Sequence, residues 1–202
     1  MFLRFLYPAA ARQLRLEAGR VYLRAPQAGD WKAWAELRAE SREFLLPWEP
    51  TWSRDALTRQ AYHRRLGYYA SEWRQGSGHA FFVLRGADDR LLGGLSLLNV
   101  RRGVAQTASL GYWIGRPHAR QGYMTEAISA ALDFAFGRLG LHRVEAACLP
   151  HNGPSRGLLT KSGFREEGFA REYLKINGRW QDHVLFAVLR DDPRPRPHTS
   201  HT

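Results

Sequence analysis

The stretch that decides the fold spans residues 111–136, GYWIGRPHARQGYMTEAISAALDFAF. Tyr112, Trp113 and Ile114 read as the end of an apolar strand. A loop carrying Arg116, His118, Arg120 and Gly122 follows, and a helix begins near Tyr123. The first N–H groups of a helix lack an intrahelical acceptor, and the helix dipole is positive at that end. A strand, a basic glycine-bearing turn and a helix start therefore form an anion site. Taken alone, such a loop fits many phosphate and nucleotide sites.

Downstream, Gly140 ends the helix, and residues 143–149 read as a strand with Val144, Ala146 and Cys148 alternating. Asn152 is placed to cap a short helix with Pro154 in its first turn and Leu158 and Leu159 toward the core. Gly163 closes it. Two strands, 165–176 and 180–190, meet at Asn177-Gly178, a strong hairpin signal. Upstream, strands are expected at 80–85, 91–99 and 107–114, separated by turn residues. Tyr62, Leu66, Tyr69 and Trp73 form one stripe of a helix, more simply core than binding surface. Asp30 suits the N-cap of an earlier helix with Trp34, Leu37, Ser41 and Leu45 at near-helical spacing, stopped by Pro47. Residues 47–52, with two prolines and two tryptophans, make a stiff loop that covers the core or walls a cleft. A strand at 20–24 opens the series.

The order is β-α-α-β-β-β-α-β-α-β-β. It describes an α/β layered domain with a mixed, mostly antiparallel sheet flanked by helices, and not a doubly wound one. One domain over 20–190 is expected, preceded by an extension over 1–19 that is either mobile or packed. Arg4 breaks the apolar run of that extension, so a signal peptide is the lesser reading. The tail 191–202 holds three prolines and no large apolar residue and is expected to be disordered.

The 202 residues and 44% hydrophobic content suit a single core. No apolar run approaches the ~18 residues of a membrane span. The one cysteine, Cys148, excludes an internal disulfide and a multi-cysteine metal site, and it fits a reducing, cytoplasmic setting. No cluster of His, Cys and carboxylates points to a metal. The formal charge of +11 is mostly arginine. It favours an acidic partner such as RNA, a ribosomal particle or an anionic cofactor, or it is simply a solvated basic surface.

Seven short motifs now line up: PWEP (47–50), GYWIG (111–115), GYMTEA (122–127), HRVEA (142–146), LPHNGPSRGLL (149–159), SGF (162–164) and YLKINGRWQDHVLF (173–186). Their order and spacing resemble the GNAT (GCN5-related) N-acetyltransferases. The nearest type is RimJ/RimL, which acetylates N-terminal amines of ribosomal proteins. The resemblance covers roughly residues 20–189. It implies acetyl-CoA as acyl donor, no metal, and direct transfer in a ternary complex. The implied acceptor is a free amine, first the α-amine of an Ala- or Ser-starting protein. It also implies that the strand at Tyr112, Trp113 and Ile114 splays from its neighbour and pairs with pantetheine. Amides of Arg120, Gln121, Gly122, Tyr123 and Met124, with Thr125 in the first turn, would hold the pyrophosphate. The loop departs from the family's Q/R-x-x-G-x-G/A pattern at Pro117 and Arg120. Arg120 either grips phosphate or faces solvent.

By the same resemblance, Asn152 contacts the pantetheine arm, a role compatible with capping. The tyrosine that many relatives use to protonate the thiolate is Leu159 here. Ser155, three residues after Asn152, is the expected proton donor, unless it merely helps cap its helix. A free α-amine has a pKa of about 7.7–8.0, so a strong base is unnecessary. Glu49 is the first candidate base and Glu172 the second. Glu126 is given a structural role at the helix start, and His151 and His183 are read as structural. A backbone amide near Ile114 would face the carbonyl oxygen. The amine would enter between Trp48, Glu49, Asn99 and the hairpin carrying Tyr173. Two other readings stay open: acetylation of a small-molecule amine, and a non-catalytic ribosome- or RNA-binding factor. Monomer and homodimer are both compatible with the sequence.

Overall fold

A computed structural model describes residues 7–195. The elements are α1 (Ala9–Gln13), β1 (Arg15–Ala18), β2 (Val21–Arg24), α2 (Trp31–Glu40), α3 (Arg42–Leu45), α4 (Arg59–Gln75), β3 (His79–Arg85), β4 (Leu91–Arg101), β5 (Thr107–Ile114), α5 (Tyr123–Asp133), β6 (Arg143–Cys148), α6 (Gly153–Lys161), β7 (Arg165–Ile176) and β8 (Arg179–Leu189). The strands form one sheet in the order β1-β2-β3-β4-β5-β6-β8-β7. Among the described strands, only β5 and β6 are parallel, because α5 carries the chain between them.

Helices cover both faces. On one, α5 lays Met124, Ala127, Ile128 and Ala131 on Leu95, Leu97, Ala108 and Val144. The alanines let the helix approach closely, and Ile128 is fully buried, a contribution of about 1.5–3 kcal/mol. On the other face, Trp34 and Leu37 of α2 and Tyr62 and Leu66 of α4 pack on Tyr22, Phe82 and Leu84. The expected stripe on α4 is therefore core at Tyr62 and Leu66 and half-buried at Tyr69 and Trp73.

Several expectations need correction. The sheet begins at Arg15 rather than Arg20: β1 pairs with β2, Leu16 opposite Leu23. Of the two states expected for the N-terminal segment, mobile or packed, the described part is packed, with Tyr7 and Ala11 buried against Ala70. The described start of the C-terminal tail is also held down. Asp192 accepts from Leu189 N–H at 2.9 Å and pairs with Arg165, and Arg194 pairs with Asp133. Residues 1–6 and 196–202 of these segments lie outside the described residues. Asp30 is not a side-chain cap for α2. Its carboxylate instead takes Gln27 N–H and both Nη atoms of Arg24, each at 2.7 Å. The helix from Trp31 breaks at Ser41, and α4 starts at Arg59 behind a Thr58 cap. Among the described residues, no helix is long and apolar enough to cross a membrane.

Candidate active site

The parallel pairing of β5 with β6 covers only residues 107–109 against 143–145. Beyond Ser109 the two strands part. The antiparallel register of β5 with β4, closed by Gly115 N–H to Leu92 O at 2.8 Å, turns the peptide groups of Trp113 and Gly115 toward β4. Alternation then turns the N–H and C=O of Tyr112 and Ile114 into the gap. A polar linear ligand laid there meets a ready strand edge. Trp113 does not offer its backbone, a correction to the expected set. Its indole instead lies against Gly94, where an added Cβ would meet Nε1 at 2.4 Å.

At the lower end of the gap the chain enters the anion loop. Arg116 N–H donates to Ser41 Oγ at 2.9 Å, which ties the loop to the break between α2 and α3. Gly115 passes so close to Leu37 that a Cβ would sit 2.4 Å from Cδ1. Arg120 has φ +61° and Gly122 φ +84°. These two left-handed residues curl the backbone so that consecutive amides face inward. Among the described residues, the N–H groups of Arg120, Gln121, Gly122, Tyr123 and Met124 donate to no backbone acceptor, and helical bonding starts with Thr125 N–H to Gly122 O at 3.0 Å. Thr125 is thus part of the helix ladder rather than of the cradle. Five free amides at a helix start make a nest for a phosphate pair. Arg120 keeps the conformation usual for glycine. Its guanidinium is exposed and makes no ion pair among the described residues.

The loop is clamped from the β1–β2 turn. Arg20 donates from Nη2 to Gln121 O at 2.8 Å and from Nε to Glu126 Oε1 at 2.8 Å, and its backbone N–H reaches Glu126 Oε2 at 2.7 Å. Glu126 holds the structural place expected of it. Arg20 was not singled out from sequence, because nothing local marks a partner more than a hundred positions away.

Across the gap, Asn152 Oδ1 accepts from Ser155 N–H at 3.1 Å, capping α6. Its amide NH2 has no protein partner among the described residues. Ser155 Oγ lies 2.6 Å from Tyr112 OH. Burial pushes the Tyr112 phenol up to about 12, against the opposing pull of the Ser155 hydrogen bond, so the phenol stays protonated. Both hydroxyls carry a proton and either can donate in this bond, so when Tyr112 donates, Ser155 has its own proton free for a third group. The Cys148 thiol, beside Ser155, is also pushed up by burial and is a poor nucleophile. Leu159 is fully buried core.

Above the gap lies a cavity of about 460 Å³, walled by Trp34, Arg38, Glu49, Trp52, Tyr112 and Trp113 among others. Arg38 Nη1 donates to Glu49 Oε1 at 3.0 Å and its Nη2 to Oε2, while Trp52 Nε1 donates to Oε2 at 2.8 Å. The guanidinium stands 4.3 Å from the Trp52 ring and 4.9 Å from that of Trp113. Three donors leave Glu49 roughly one of its four lone-pair directions. Asn177 N–H donates to Glu49 O at 2.9 Å, so the β7–β8 turn does meet this loop. Trp48 packs on His151, ring centres 5.5 Å apart. Three expected wall residues, Trp48, Asn99 and Tyr173, are not among those lining the cavity. Asn99, at a β-bulge with φ +51°, faces solvent, and Ser96 and Leu98 take its place. Tyr173 is half-exposed on β7 against His183. Glu172 is exposed as well. Among the described residues, no group of three or more His, Cys, Asp or Glu could hold a metal.

A family model, the acetyltransferase (GNAT) domain, matches residues 20–165. The chain belongs to the GNAT acetyltransferases, enzymes that take the acetyl group from acetyl-CoA. Its relatives are of RimJ/RimL type. It is 36% identical to a probable N-acetyltransferase, YjcK, of Bacillus subtilis over 88% of this chain and 98% of that protein. It is 35% identical to the [ribosomal protein uS5]-alanine N-acetyltransferase of Escherichia coli over 95% and 98%. The solved structure of Mycobacterium smegmatis RimJ in complex with CoA-disulfide superposes with TM-score 0.81 at 33% identity, covering 87% of this chain and 86% of that one.

Proposed function

We propose that this enzyme acetylates the N-terminal α-amine of a protein, of the Ala- or Ser-starting ribosomal kind, by direct attack in a ternary complex. The observation that carries the reading is the Tyr112–Ser155 hydrogen bond spanning the open gap at the mouth of the Glu49 cavity. It brings a proton donor from the cofactor side to the edge of an acceptor pocket. The similarity to a ribosomal-protein-alanine acetyltransferase over nearly the whole chain supports the acceptor class.

The residues present fit coenzyme A. Five unpaired amides and the Arg120 guanidinium suit its pyrophosphate, and the free edges of Tyr112 and Ile114 suit its pantetheine amides, with the Asn152 NH2 as a further donor. Bound acetyl-CoA supplies an activated thioester carbonyl. Ile114 N–H, turned into the gap by the β4–β5 register, would donate to the carbonyl oxygen as negative charge develops there. Ser155 gives its proton to the departing sulfur and is resupplied through Tyr112. Glu49, with its remaining lone pair, orients the incoming amine or takes its proton through water. The raised Cys148 thiol argues against a covalent acyl-cysteine and for direct transfer.

Two results are expected. First, kcat/KM for a peptide acceptor rises with pH and levels near the α-amine pKa, about 8. No falling limb appears before about pH 10, because a phenol raised to about 12 remains a donor throughout. A pH–rate profile checks this. Second, Arg120→Gly leaves urea stability unchanged or raises it by up to about 1 kcal/mol. A left-handed L-residue costs roughly 1–2 kcal/mol, and glycine's extra backbone freedom returns about half of that. The same variant weakens coenzyme A binding by about threefold to tenfold at low salt, read by calorimetry, through loss of a charge-assisted phosphate contact.

The test of function is acetyl-CoA turnover on a panel of free N-terminal peptides, lysine peptides blocked at the N-terminus, and small amines, read by mass spectrometry. Acetyl on the α-amine alone supports the proposal. Modification of lysine side chains or small amines only would refute it.

A further inference from the structure

The acceptor cavity does not end at Glu49. Ala61, Arg65, Tyr69, Ser96 and Leu98 line both this cavity and an open groove that continues it between α4 and β4. Most charges along that path are already matched. Arg38 pairs with Glu49, and Arg64, farther along, pairs with Asp55. Arg65 is different. Its Nη1 donates to Tyr69 OH at 3.3 Å and its guanidinium sits 5.6 Å from the Trp34 ring, but among the described residues it has no carboxylate partner. The path therefore presents one uncompensated positive charge, held in place by two aromatic rings.

From Ala61 to Tyr69 the helix rises about 12 Å. An extended peptide covers that distance in about three to four residues. A substrate whose amine lies near Glu49 would place its next few side chains along Arg65. We infer that the preferred acceptor is a peptide N-terminus with an aspartate or glutamate within about its first four residues, and that Arg65 selects it. The inference rests on the N-terminal reading above. It also explains why a polycation suits this path poorly: its second charge would meet the Arg65 guanidinium.

The test uses peptides beginning with Ala and carrying Glu, Gln or Lys at the second, third or fourth position. In at least one of these positions the wild-type kcat/KM should run Glu above Gln above Lys. The step from Gln to Glu should be about tenfold at low salt, and it should lie in KM. Raising the salt to about 0.5 M should shrink it. Arg65→Glu should invert the order, Arg65→Gln should flatten it, and Arg65→Lys should keep part of it, with thermal melts confirming folded variants. Equal rates for all three peptides, or a Glu preference that survives in Arg65→Glu, would overturn the inference while N-terminal acetylation stands. Acetylation of small amines with no peptide N-terminus modified would instead sink the N-terminal reading, and this inference with it.

Discussion

Replacing Ser155 with alanine should lower kcat about a hundredfold and leave the affinity for acetyl-CoA within about threefold. General acids contribute roughly 10²–10⁴. A thiolate with a pKa near 8.5 departs tolerably unaided, which sets the effect at the lower end. Affinity is spared because the five loop amides and the edges of Tyr112 and Ile114 are untouched. The fold is spared because Asn152 caps α6 through the backbone N–H of residue 155, which alanine retains. Tyr112→Phe should cost only about tenfold, since Ser155 keeps its own proton. The double variant should be little worse than Ser155→Ala, because the two hydroxyls act as one relay. Stopped-flow or steady-state kinetics with a peptide acceptor measures all three. Undiminished turnover in Ser155→Ala would remove the serine from the mechanism.

The second large effect is on stability. Glu49→Ala should destabilise the protein by about 2–3 kcal/mol, roughly 5–10 °C in melting temperature. It strands the Arg38 guanidinium, whose side chain is only 10% exposed, between tryptophans. Removal of one partner from a buried pair costs more than the pair contributes, because the survivor stays desolvated. Contacts with the Trp52 and Trp113 rings offset part of that cost. Removing both in Arg38→Ala/Glu49→Ala should hurt less than the sum of the singles. Glu49→Gln preserves the shape and the Trp52 bond, so it isolates function: stability falls by about 1 kcal/mol and KM for the amine rises. A Glu49→Gln enzyme with wild-type KM would show that Glu49 serves the loop and not the acceptor.

The sequence made the loop and helix of residues 111–136 legible because local chemistry determines them. Gly122 is left-handed and α5 buries one small-residue face. The strand order followed from turn residues and alternation. What escaped were partnerships between distant positions. Arg20 and Arg38 look like ordinary surface arginines in a chain with many, yet one clamps the anion loop and the other fixes Glu49. The Tyr112 side chain was read only as part of a strand, since its meeting with Ser155 depends on how β5 and β6 part. Asn99 was misplaced by a bulge that resets the alternation of β4 after Leu98. β1 was missed because a four-residue strand beside a polar stretch has too little pattern to register.

The most direct test of the account is amide hydrogen exchange with and without acetyl-CoA. Among the described residues, the N–H groups of residues 120–124 have no acceptor, and they should exchange fast in the free enzyme. Saturating acetyl-CoA should slow them strongly, together with those of Tyr112 and Ile114. Protection that appears elsewhere while residues 120–124 continue to exchange freely would contradict the assignment of this loop and gap to the cofactor.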